Sequence, residues 1–179
     1  MFEKIRKMKN QKGFTLVELI VVLVILAILA ALLVPALTGY IDKANKEKVI
    51  ATTRMVVMAA QTEISEKYGL EASGALKGTK ELKESGATPL TKTGSTETTE
   101  AANDDGIKIN DIALLAEVAK EVTDNDGKTT VDFVNGVENI QVYYNTKGQV
   151  TAAVVKQSGF TCTYKANPGA NEDKYTVTK

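Results

Sequence analysis

The 179-residue chain contains no histidine, no tryptophan and one cysteine, Cys162. Without histidine it lacks the side chain that most often serves as general base or metal ligand near neutral pH. A lone cysteine excludes a disulfide within the chain. Neither sign of charge is in excess, with 22 basic and 22 acidic residues, so nucleic acid is not expected as a partner. No nucleophile stands with a base, and there is no phosphate-cradling glycine loop, metal-ligand cluster or basic groove. The sequence therefore argues against an enzyme and implies neither cofactor nor metal. The length suits one domain, or one domain with an appendage.

A further absence carries positive information. Between Glu18 and Asp42 no charged residue occurs, which leaves 23 uncharged positions, 19–41. As a helix they would span about 34 Å, enough to cross a hydrocarbon core of roughly 30 Å. Residues 1–13 carry Lys4, Arg6, Lys7, Lys9 and Lys12 against Glu3 alone, whereas the far flank is mixed: Asp42, Lys43, Lys46, Glu47 and Lys48. Basic flanks stay inside, so the N-terminus is expected in the cytoplasm and everything beyond residue 41 outside. A secretory signal would have an apolar region of about 7–15 residues ending in a small-x-small site. This run is longer and has no A-x-A at its end, although hydropathy alone is equally compatible with a plain signal anchor.

The stretch Lys12-Gly13-Phe14-Thr15-Leu16-Val17-Glu18, running directly into the apolar segment, resembles the class III leader and N-terminal helix of type IV pilins and pseudopilins over about residues 8–41. The resemblance implies cleavage between Gly13 and Phe14 by a prepilin peptidase/methyltransferase, with N-methylation of Phe14. It implies that Glu18 of one subunit meets the freed Phe14 amine of a neighbour during assembly. It also implies that Pro35 marks a place where the helix bends or partly melts in a fibre. From the residues alone, a carboxylate in a membrane segment costs about 2.5–3.5 kcal/mol at the centre and normally has a partner; the alternative is an interfacial acid favoured by the positive end of the helix dipole. Pro35 removes a backbone donor, and Gly39 adds a second weak point. Ala27, Ala30 and Ala31 form a small-residue patch where another helix can approach. Loss of residues 1–13 would leave 17 basic against 21 acidic side chains.

Past Asp42 the periodicity becomes one-sided, with Val49, Thr53, Val56, Ala60 and Ile64 at helical spacing and Lys46, Lys48, Arg54, Glu63 and Glu66 on other faces. Gly69 offers a stop, so one helix is expected over about 14–68, some 82 Å long. Its parts are a transmembrane and assembly half, 14–41, and an amphipathic half, 42–69. Residues 70–110 read as a polar surface loop with six threonines in 88–99 and a short helix around 79–84. Asn103-Asp104-Asp105-Gly106 and Asp124-Asn125-Asp126-Gly127 suggest calcium but lack the D-x-[DN]-x-[DN]-G spacing, and turn chemistry explains them more simply.

A helix over 111–122, capped by Asn110 or Asp111, would present Ile112, Leu115, Ala119 and Val122 as one apolar stripe. Val137–Asn145 and Gln149–Lys156 read as a hairpin around Thr146-Lys147-Gly148. Phe160, Cys162 and Tyr164 alternate with polar residues as a third strand, Tyr175 and Val177 suggest a fourth, and Val131–Val134 adds a short edge. Cys162, on the apolar side, reads as a small core residue; a reactive or intermolecular thiol is the rival reading.

The expected fold is α+β, with a cleaved leader (1–13), a long helix and a head (70–179) built on a three- to four-stranded antiparallel sheet at about 131–178. The resemblance implies a structural subunit of a type IV pilus, a major pilin of a Gram-positive lineage. It would be single-pass in the cell membrane before processing and extracellular afterwards, serving adhesion, motility or surface attachment. Its implied partners are further copies in a helical filament, the peptidase/methyltransferase, the membrane, and an inner-membrane assembly platform with its ATPase. The alternatives are a pseudopilin of a type II secretion or competence DNA-uptake system, and a single-span anchored sensor or binding protein.

Overall fold

In the computed structural model, which describes residues 13–71, 76–78, 89–94, 96–97 and 103–179, the first regular element is helix α1, Leu16–Leu70. The chain divides into two compact units, residues up to Lys43 and residues from Ala44 onward. In the first unit α1 is apolar on every face. Large side chains from Leu16 to Ile41 are exposed, and its most apolar window has a mean hydropathy of 3.3 with none of it buried. A helix that is hydrophobic all round has no aqueous face to present, so this length and composition suit a membrane span.

In the second unit α1 becomes one-sided and packs on antiparallel sheet. Val49, Thr53, Val56, Ala60 and Ile64 are each wholly buried, the face expected from their spacing. Thr53 is accommodated because its hydroxyl donates to the Val49 carbonyl at 2.7 Å, which leaves no polar atom without a partner there. Two side chains fix the helix to the sheet. Lys48 Nζ donates to the Asn135 carbonyl at 2.8 Å, and Gln61 donates to the Gly148 carbonyl at 2.7 Å while accepting from the Val150 N–H at 2.9 Å.

Along the chain follow β1 (Leu90–Thr93), β2 (Thr96–Glu97), α2 (Ile109–Leu115), β3 (Ala119–Thr123), β4 (Thr129–Phe133), β5 (Val137–Tyr144), β6 (Val150–Gln157), β7 (Phe160–Lys165) and β8 (Tyr175–Thr178). They form a five-stranded sheet ordered β1-β5-β6-β7-β8 and a three-stranded sheet ordered β2-β4-β3. The hairpin, third strand and fourth strand lie where alternation placed them. Phe160, Cys162 and Tyr164 are buried while their neighbours in β7 are half-buried, the period-2 signature of a strand with one face on the core.

The β5–β6 turn is one of three copies of the same loop. Asn145 Oδ1 accepts from the N–H groups of Lys147 and Gln149, with Gly148 at φ 72°. Asp124 Oδ1 does the same for Asp126 and Lys128, and Asn103 Oδ1 for Asp105 and Ile107. Gly127 and Gly106 take the left-handed position, at φ 78° and 74°. The two acidic clusters are thus turns whose first side chain is engaged with its own backbone.

Three expectations are corrected. The helix expected over 111–122 spans only Ile109–Leu115, with Lys108 rather than Asn110 or Asp111 at its N-cap, and Asn110 itself is buried. It stops because Glu117 adopts φ 56°, so that the Glu117 N–H reaches the Leu114 carbonyl and the Val118 N–H reaches Ala113. That pair of bonds is the left-handed helix stop usually made by glycine. Ala119 and Val122 therefore lie on β3, and Leu115 is exposed.

The segment 70–110 is more than a surface loop. It supplies β1, which pairs with β5 from Leu90↔Val142 to Thr93↔Asn139, and it buries Leu76, Lys92 and Ile107. Lys92 enters the core because its ammonium donates to the Val131 carbonyl at 2.7 Å and lies 5.1 Å from the Phe133 ring centroid. The short edge at 131–134 is instead the central strand of the second sheet, since β4 pairs on both sides. The helix expected around 79–84 and most of leader residues 1–13 fall outside the described residues.

Candidate processing and assembly site

Helix α1 begins with a reciprocal cap. The Thr15 N–H donates to Glu18 Oε2 at 2.9 Å, the Thr15 hydroxyl donates to the same oxygen at 2.8 Å, and the Glu18 N–H donates to Thr15 Oγ1 at 3.3 Å. This is the T-x-x-E capping box, in which threonine and glutamate satisfy donors that the first helical turn leaves open. Glu18 thus has a partner within its own chain. Oε2 takes both bonds, and Oε1 takes none from the described residues. The box is written locally as Thr15-Leu16-Val17-Glu18, a signal outside the expectation that Glu18 finds its partner on another subunit.

Gly13 and Phe14 precede the helix without regular secondary structure. Phe14 is 78% exposed, and a Cβ at Gly13 would meet no atom within 4 Å. The capped helix starts at Leu16, two residues beyond Phe14. Glu18 folds back onto Thr15, the residue that follows Phe14. Pro35 sits well inside α1, and the helix continues through it; the Thr38 hydroxyl donates to the Pro35 carbonyl at 2.9 Å. Gly39 has open space around it, and Ala27, Ala30 and Ala31 are exposed.

Cys162 is placed elsewhere, wholly buried in the core of the second unit. Burial pushes its thiol above the ordinary range, against weaker opposing effects of a hydrogen bond with Thr53 and the charge of Arg54. A protonated, enclosed thiol of this kind is inert.

A class of protein is indicated by these features: a capped helix whose first part is apolar and exposed, consistent with a membrane-anchored precursor, in a chain of α+β fold. Residues 8–34 match the family model described as the prokaryotic N-terminal methylation motif. The match marks a class III prepilin leader and supports the type IV pilin and pseudopilin family. The leader implies processing by a prepilin peptidase and pilus assembly, and the structural subunits of this family are in general non-enzymatic. No curated protein and no solved structure matches the chain.

Proposed function

We propose that the mature chain is a structural subunit of an extracellular type IV pilus filament. Prepilin peptidase cuts between Gly13 and Phe14, the new N-terminus is methylated, and an inner-membrane platform with its ATPase draws the subunit from the lipid into a helical homo-oligomer. The observation that carries this reading is an apolar helix exposed on every face directly behind the processing motif. Outside lipid such a surface must be covered, and further copies of the same helix are the cover that a non-closing, head-to-tail assembly provides. The capping box refines the role of Glu18. Thr15 holds the carboxylate at the helix start through Oε2, leaving Oε1 to receive the cationic Phe14 amine of a neighbour. Pro35 and Gly39 are the points where the helix yields on packing.

Mass spectrometry of the protein purified from cell membranes and from sheared surface material tests the reading. An N-terminal methylphenylalanine at position 14 in the sheared fraction is the expected result. Retention of residues 1–13 would overturn it, and mature protein confined to the cell envelope would move the chain to the pseudopilins.

A further inference from the structure

Among the described residues of the second unit, four large hydrophobic side chains are exposed: Met55, Met58, Leu70 and Leu115. Three of the four meet in one place. Met55, Met58 and Thr62 of α1, with Leu115 and Glu117 at the end of α2, line a groove of about 380 Å³. Single apolar residues scattered over a surface are ordinary, whereas convergence of this kind marks a contact face. Methionine suits such a face, because its unbranched thioether adapts to the shape that fills the groove.

The rim of the groove is acidic. Glu117 belongs to the lining, and Glu63 follows Thr62 in α1. Burial, and then the charges of Asp111 and Glu66, hold the Glu63 carboxyl above its ordinary value, against a weaker opposing effect of Lys67. The repulsion among these acids is thus only partly relieved within the chain. A complementary partner brings apolar side chains for the floor and a cation for the rim. Helix α1 carries such a segment. In the mature chain its exposed large side chains, from Leu16 to Ile41, adjoin lysine only at the far end, where Leu37, Tyr40 and Ile41 are followed by exposed Lys43 and Lys46. Asp42, between Ile41 and Lys43, is half-buried and already engaged. Segment and groove share one helix, so the occupant comes from another chain.

We propose that this groove receives residues 37–46 of a second copy of the chain, with Tyr40 seated between Met58 and Leu115 and Lys43 against the acids around Glu63. The inference rests on the filament reading and names one contact within it. Tyr40 is 74% exposed in the single chain, and the groove would take its ring out of water while the methionines close around it. The two patches are different surfaces of the same molecule, so the contact is heterologous and each copy that offers its segment still has its own groove to fill. Such a contact propagates along a filament and does not close into a dimer.

The test uses filaments sheared from cells expressing the full chain. Tyr40→Cys is combined in one chain with Met58→Cys or with Leu115→Cys, and, for comparison, with Asn125→Cys in the exposed β3–β4 turn; Cys162 is buried and stays in place. Under mild oxidation both groove pairs should give ladders of cross-linked chains, at about fivefold or more the yield of the Asn125 pair, because contact raises the local thiol concentration. Tyr40→Cys and Met58→Cys on separate, co-expressed chains should give dimers and no ladder. Glu63→Lys with Glu66→Lys should lower the yield of sheared filaments about fivefold or more at an unchanged level of subunit in the membrane, and adding Lys43→Glu with Lys46→Glu should restore it. Absence of filaments from the unmodified chain would overturn the filament reading and this contact with it. Filaments in which both groove pairs cross-link no better than the Asn125 pair, or a charge reversal that leaves the yield unchanged or is not restored by the reciprocal reversal, would overturn the contact alone.

Discussion

The Tyr144 hydroxyl donates to the Asp105 carboxylate across 2.6 Å, joining the end of β5 to a turn 39 residues earlier in the chain. The same carboxylate accepts from the N–H groups of Lys77 and Gly78 at 2.7 and 3.0 Å. One buried acid therefore closes the segment after α1 onto the sheet. Removing the hydroxyl in Tyr144→Phe leaves a buried carboxylate short of a partner, which should cost about 1.5–3 kcal/mol. Chemical denaturation of the variant should show a lower midpoint with an unchanged slope.

Tyr144 should also titrate late. Burial, and then its hydrogen bond to Asp105, push its phenol well above the ordinary value of 10.0, and burial raises Tyr143 as well. A raised folded-state pKa means stability that is intact below the unfolded pKa and lost as pH rises through the folded one. Alkaline difference spectra should show Tyr143 and Tyr144 ionising above the ordinary tyrosine range, together with unfolding.

Gly148 and Gly127 occupy the same place in two copies of one loop and separate two effects of substitution. Both have positive φ, but a Cβ at Gly148 would lie 2.9 Å from Tyr68 Cβ, whereas nothing lies within 4 Å at Gly127. Alanine at either site meets the left-handed penalty of about 1 kcal/mol or more. At Gly148 it must also displace Tyr68, and overpacking of this kind adds about 1–3 kcal/mol. Thermal unfolding should rank Gly148→Ala well below Gly127→Ala.

Thr15 and Glu18 can be pulled apart genetically. Thr15→Val removes the hydroxyl half of the capping box, about 1 kcal/mol of helix start, and leaves the carboxylate in place. Glu18→Ala removes both cap and carboxylate. Each variant should be inserted and cleaved, with sheared filaments recovered from Thr15→Val and absent from Glu18→Ala. Equal loss in both would assign Glu18 to capping alone.

Cys162 should resist thiol reagents in the folded protein and react at once in denaturant. Cys162→Ala should fold with a modest loss of stability. Cys162→Ser places a hydroxyl in the same enclosed site and should lose more, within the roughly 1–3 kcal/mol of a buried polar group with poor partners. Rapid labelling under native conditions would revive the reactive-thiol reading.

Glu63 gives a pH signature of the opposite kind to a salt-bridged acid. Burial, and then the charges of Asp111 and Glu66, raise its pKa above 4.5. Its charged form therefore opposes folding, and its contribution is best below the unfolded pKa and fades as pH rises through the folded one. Glu63→Gln should raise the thermal midpoint at pH 7, and the gain should vanish near pH 4.

By itself the sequence determined whatever depends on local period and charge. The uncharged run 19–41, the basic leader, the buried face Val49 to Ile64, the β5–β6 hairpin and the alternation of β7 were all legible, because a membrane, a helix face and a strand face each impose a fixed spacing. The Thr15–Glu18 box is equally local, but the expectation for Glu18 was a partner on another subunit, and the bonds to Thr15 came from the structure. Only the tertiary structure decided that α2 ends at Leu115, where Glu117 takes a conformation that no glycine announces. It alone decided that Lys92 and Asp105, polar by composition, lie inside, and that a threonine-rich stretch supplies the edge strand β1. These outcomes depend on partners far along the chain: the open edge of β5, the Val131 carbonyl and the Tyr144 hydroxyl. A polar residue is buried where such partners meet its hydrogen-bonding needs, and the sequence within a few residues of it carries no record of them.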